Sequence, residues 1–64
     1  MIGEIIKKMR KESGYSQKEL AKKLNIAQTT LSGYETNYSN PIFSTILDIA
    51  NACGYEVKFI KKKK

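Results

Sequence analysis

The chain has 64 residues, one cysteine, no histidine and a net charge of +6. This length holds one small domain that buries only about 60% of its unfolded surface. A lone cysteine excludes an internal disulfide, and without histidine it leaves too few ligands for a structural zinc site.

The first segment, "IGEIIKKMRKES", places Ile2, Ile5, Ile6 and Met9 at the spacing of one helix face. A helix over 2–12 follows, with Gly14 as a left-handed stop. Ser16 and Glu19 in "SQKE" form a capping box that opens a second helix over 17–24. Its apolar face is Leu20, Ala21 and Leu24, and Asn25 suits a left-handed end. A third helix over 28–35 has Ala27, Leu31 and Tyr34 inward and Gln28, Thr29, Ser32 and Gly33 outward. "TNYSNP" is a loop by composition. Pro41 favours a helix start just after it, and a fourth helix is expected over 43–53, ended by Gly54. Its face is Ile46, Ile49, Ala50 and Cys53, flanked by Phe43 and Leu47; Cys53 is read as a core thiol. "YEVKFI" alternates apolar and polar residues and predicts a short C-terminal β-strand over 55–60. The basic tail 61–64 is expected to be disordered, which leaves 1–60 as a single domain.

Apolar residues never run beyond two in succession. No secretory leader or membrane span is therefore read, no membrane partner is expected, and a cytoplasmic location follows. Charge is unevenly placed: +5 over residues 7–23, −3 over 24–57 and +5 over 58–64. A basic chain points to nucleic acid, acidic lipid or an acidic protein, or merely to solubility. No histidine, paired acidic motif, glycine-rich phosphate loop or cysteine dyad is present, so no catalytic residue, metal site or cofactor is assigned and an enzyme is not expected.

Two short helices joined by about three residues, the second polar outside and apolar inside, make a helix-turn-helix. "SQKELAKKLNIAQTTLSGYE" and "PIFSTILDIANACG" resemble the lambda-repressor-like helix-turn-helix of the Cro/C1 or XRE group of bacterial and phage regulators. The resemblance runs from Ile2 through Gly54. It implies an all-α compact bundle, of four helices in this chain, and a sequence-specific DNA-binding regulator, a repressor acting on an inverted-repeat operator. By that resemblance, Gln28, Thr29 and Ser32 read base edges. Gly33 costs its helix about 1 kcal/mol relative to Ala, which points to a close approach of DNA there, with neutral drift as the alternative. Gln17 anchors a phosphate, joined by Lys18 at the start of the second helix and by the loop residues Thr36, Asn37, Tyr38, Ser39 and Asn40. Arg10 and Glu35 match a pair that bridges the first and third helices. The plainer reading of Gln28, Thr29 and Ser32 is a solvated helix face. Lys7, Lys8, Lys11, Lys22 and Lys23 are read mostly as such a face.

The departures from the family are informative. Its loop after the third helix usually carries "NGK" and an arginine, whereas this one reads "TNYSN" without a cation, with Asn37 in the left-handed role. Ala27 and Ile42 stand where Ser or Thr usually caps a helix, a loss of about 1 kcal/mol each. A lone strand has no partner within the chain. Tyr55, Val57 and Phe59 are accordingly expected to pair with a second copy in a homodimer. Fraying in a monomer and strand addition to another protein are the alternatives. A strand after the fourth helix also resembles HipB-type antitoxins, which makes a toxin protein an alternative partner beside double-stranded DNA.

Overall fold

The computed structural model describes residues 1–63. Four helices follow in order: α1 (Ile2–Glu12), α2 (Gln17–Leu24), α3 (Gln28–Glu35) and α4 (Phe43–Ala52). Each contributes one large, fully buried apolar side chain: Ile6, Leu20, Leu31 and Ile49. Met9, Ala21 and Ala50 fill the spaces between them, and Ile26, in the α2–α3 connection, packs against the same core. Helices of eight to eleven residues are marginal alone, so this shared core is what holds them.

Local chemistry sets the ends. Ser16 Oγ accepts from the Glu19 N–H at 3.0 Å, and the Glu19 carboxylate accepts from the Ser16 N–H at 2.9 Å. That is the reciprocal capping box expected for α2. All four helices finish the same way, each with one residue at positive φ: Gly14, Asn25, Asn37 and Gly54. The residue after each turns its N–H back to a carbonyl in the last turn: Tyr15 to Arg10, Ile26 to Ala21, Tyr38 to Gly33 and Tyr55 to Ala50. This is the Schellman stop.

Three expectations are corrected. Ile5 is 54% exposed, because the buried stripe of α1 runs through Gly3, Ile6, Met9 and Arg10. A glycine and an arginine on the inner face shift it away from the apolar pattern. Ala27 is exposed rather than inward, since it is the extended N-cap of α3. The C-terminal strand is absent: residues 55–60 carry no ladder, and α4 itself stops at Ala52 with Cys53 as its cap. Alternation alone makes no strand where no second strand lies beside it. Instead the Tyr55 hydroxyl donates to Glu12, and the Phe59 ring sits 5.7 Å from that of Phe43. Of the basic tail, residues 61–63 are exposed without regular structure, and residue 64 lies outside the described residues.

Candidate nucleic-acid interface

α3 has two unlike sides. Leu31 and Glu35 are buried and Tyr34 half-buried, whereas Gln28 and Thr29 are exposed. Ser32 and Gly33 lie half-buried between them. Among the described residues, no side chain caps the helix start, where Ala27 stands. Among the described residues, none of the side chains of Gln28, Thr29 and Ser32 takes part in a hydrogen bond of the fold.

The inner side is fixed by a buried ion pair. Arg10 donates to Glu35 through Nε at 2.6 Å and through a terminal nitrogen at 3.0 Å. A second terminal nitrogen donates to the Tyr15 carbonyl at 2.9 Å. This is the bidentate fork that suits guanidinium to carboxylate. Gln17 Nε2 adds a third donor to Glu35 at 3.1 Å. Burial pushes the Glu35 carboxyl up, but the hydrogen bonds from Arg10 and Gln17 and the charge of Arg10 outweigh it. The net result is a carboxyl held below its usual range. The bridge between α1 and α3 is thus present, and it also binds the start of α2.

The proposed phosphate-side residues fall into two sets. The Gln17 amide is partly committed to Glu35. The Thr36 hydroxyl donates to the carbonyls of Ser32 and Gly33. Asn37 accepts from the Gly3 N–H at 2.9 Å and donates to Glu4 at 2.9 Å; that hydrogen bond holds the Glu4 carboxyl below its usual value. These three side chains serve the fold. Lys18, Tyr38, Ser39 and Asn40 are exposed, Tyr38 by 91%. Gly33 has a close neighbour within the protein: a Cβ there would lie 3.2 Å from Ser39 Oγ. That neighbour is a rotatable hydroxyl, not backbone.

Sequence reasoning did not single out Gly3, whose N–H holds Asn37 and thereby the end of α3. It lies in a helix without an apolar side chain, so no periodicity marks it. Nor did it distinguish Lys22 from the other lysines, although that residue lines an open groove with Lys18 and Gln28.

Two short helices joined by Asn25, Ile26 and Ala27, the second presenting a polar face that the core does not need, define a helix-turn-helix protein. The helix-turn-helix family model matches residues 6–60, and the chain belongs to the lambda-repressor-like (Cro/C1, XRE) helix-turn-helix family. It is 37% identical over 62 residues to the HTH-type transcriptional regulator ImmR of Bacillus subtilis, covering 97% of this chain and 49% of that protein. It is 44% identical over 57 residues to the HTH-type transcriptional regulator SinR of Bacillus subtilis, covering 78% of this chain and 51% of that protein. The Antitoxin HipB of Escherichia coli is 38% identical over 48 residues, 75% of this chain and 54% of that protein. The chain spans about half the length of these relatives.

Proposed function

We propose that the chain is the DNA-reading unit of a transcriptional repressor that occupies an inverted-repeat operator. One observation carries the reading: the outer face of α3 is polar and idle in the fold, while its inner face is clamped by Leu31 and the Arg10–Glu35 pair. α3 enters the major groove, where amides, hydroxyls and methyl groups read base edges without net charge. Gln28, Thr29 and Ser32 read, with Gly33 keeping the surface low beside them. Backbone phosphates are met by Lys18, Tyr38, Ser39 and Asn40, by the free side of the Gln17 amide, and by the turn at Thr36 and Asn37. The names of ImmR, of SinR and of the immunity repressor protein of Bacillus phage phi105, 37% identical over 59 residues, support the regulatory reading.

A single copy offers one half-site. A second copy covering Tyr55, Val57 and Phe59, which are 38%, 40% and 83% exposed, places two α3 helices about 34 Å apart, one DNA turn. Selection of bound duplexes from a random pool is expected to return a palindromic consensus; an unenriched pool would contradict base reading. On that consensus, Gln28→Ala is expected to lose about 1–3 kcal/mol of binding and little on random DNA. Equal losses on both duplexes would remove Gln28 from the reading set.

The likeness to HipB favours a second reading, in which the same regulator also holds a toxin protein. Co-purification of a second protein with the native complex tests it.

A further inference from the structure

The part of the chain that carries α3 has no cation of its own: residues 24–57 hold Glu35, Asp48 and Glu56 and no lysine or arginine. Arg10 neutralises Glu35 from α1, and Lys58 pairs with Glu56 at 3.2 Å. Asp48 is left exposed. DNA meeting this part finds no attracting charge on it. Lys61, Lys62 and Lys63 are exposed, and among the described residues none of them joins an ion pair.

The segment before these lysines sets where they lie. After the stop at Gly54 the chain turns back, with the Tyr55 N–H on the Ala50 carbonyl and the Tyr55 hydroxyl on Glu12. It returns to the start of α4, where the Phe59 and Phe43 rings meet at 5.7 Å. Phe43 is the first residue of α4 and follows the Thr36–Asn40 loop by way of the buried Pro41. That loop is tied to α3, since the Tyr38 and Ser39 N–H groups both donate to the Gly33 carbonyl. At about 3.5 Å per residue, Asn40 lies within about 10 Å of Phe43, and Lys61 to Lys63 lie within about 7–14 Å of Phe59. One aromatic contact therefore brings three unpaired lysines back to the uncharged loop beside the reading helix.

We propose that Lys61, Lys62 and Lys63 contact the phosphates of the DNA strand that the Thr36–Asn40 loop adjoins, placed there by the Phe43–Phe59 pair. The inference rests on the reading of α3 as the groove-entering helix. DNA that receives α3 also meets the loop that follows it, and this loop offers hydroxyls and amides without a cation. Strength on phosphate comes from cations that displace counterions. The loop thus supplies register, and residues 61–63 supply attraction to the same stretch of backbone. Phe59 is the last residue of the surface assigned to a second copy, and the three lysines lie beyond it.

The test compares the full chain with three variants. These are Lys61→Gln/Lys62→Gln/Lys63→Gln, the charge-matched Lys7→Gln/Lys8→Gln/Lys11→Gln on α1, and Phe43→Ser, which removes the aromatic contact and keeps every charge. Each is titrated by fluorescence anisotropy against the selected consensus and a random duplex, over about 50 to 200 mM salt. Each phosphate contact contributes about 0.9 to the slope of log K against log salt, so the 61–63 variant is expected to have a slope shallower by about 2–3 on both duplexes. Wild type then falls roughly 15- to 60-fold further than this variant across that range. The α1 variant should keep a slope near that of wild type. Single methylphosphonate substitutions in the consensus then locate the contact. Neutralising a short run of adjacent phosphates should weaken wild type and leave the 61–63 variant indifferent. In Phe43→Ser the slope should be kept while the sensitivity spreads over many positions. An unchanged slope for the 61–63 variant, or an equal change in both lysine variants, overturns the contact and leaves these lysines to an acidic protein or lipid surface. The same sensitive phosphates in Phe43→Ser as in wild type would overturn the placement by the aromatic pair. If selection returns no consensus but the slope change persists on random DNA, base reading fails while the phosphate contact stands. Circular dichroism should show unchanged melting for both lysine variants, since all six lysines are exposed, and a folded Phe43→Ser, since Phe43 is 50% exposed.

Discussion

Arg10→Met is expected to cost about 3–5 kcal/mol of stability, because it strands the Glu35 carboxylate in the core without its cation. Glu35 is only 6% exposed and takes both forks of the guanidinium. A chain of this size is stable by only about 3–10 kcal/mol in total, so the variant should be largely unfolded near physiological temperature. The cost belongs to the broken pair rather than to polarity itself. Replacing both members, as in Arg10→Met/Glu35→Leu, should recover most of the loss. Urea denaturation of the three proteins measures this; a double variant no better than the single would show that the pair's geometry, not its charge balance, holds the site. The pH dependence carries a sign. The folded-state carboxyl of Glu35 is held below its unfolded value. Its contribution is therefore fully present above the unfolded pKa of about 4.3 and is lost as pH falls through the folded value. In Arg10→Met the same carboxyl, buried with only the neutral Gln17 amide donating to it, is pushed up instead. That variant should gain stability relative to wild type on acidification.

The second large effect concerns the smallest residue of α1. A Cβ on Gly3 would lie 2.5 Å from the Glu35 carbonyl oxygen and 2.7 Å from both the Tyr34 carbonyl oxygen and Asn37 Oδ1. Two of these are backbone atoms and cannot move without shifting the end of α3. In an open helix Gly→Ala gains about 1 kcal/mol; here Gly3→Ala is expected to lose about 2–3 kcal/mol through overpacking. At roughly 4–8 °C per kcal/mol for a domain of this size, melting falls by about 8–24 °C. Gly33→Ala is the contrast, because its closest neighbour, Ser39 Oγ, is a rotatable hydroxyl at 3.2 Å. Its melting should stay close to wild type. Equal melting of both alanine variants would mean that α1 does not press on α3 as closely as these distances require.

The helix limits were legible because their chemistry is local. Ser16 with Glu19, and Gly14, Asn25, Asn37 and Gly54, lie within a few residues of what they terminate. The buried stripe of α1 was less legible: Gly3 and Arg10 face inward for reasons that sit on α3, more than twenty residues away. The Arg10–Glu35 pair came from family resemblance, since two charged residues twenty-five positions apart leave no periodic trace. The expected strand failed because alternation reports a half-buried surface, whereas pairing needs a second strand, and none is present among the described residues. Gln17 and Asn37 mark a different limit. An amide near a helix end satisfies a protein partner or a phosphate equally well, and only the folded arrangement shows both engaged within the protein.

The four Schellman stops also bear on how quickly the domain forms. Each reversal of direction is encoded in a six-residue segment and closed by its own backbone hydrogen bonds, from Tyr15, Ile26, Tyr38 and Tyr55. Helices elongate and turn back before distant parts of the chain have met, and the loops between them are short enough to close in well under a microsecond. Helical domains whose contacts are this local fold in microseconds to milliseconds. A small core then limits how long the native state lasts, not how fast it returns. An opened molecule is expected to recover its reading surface almost at once.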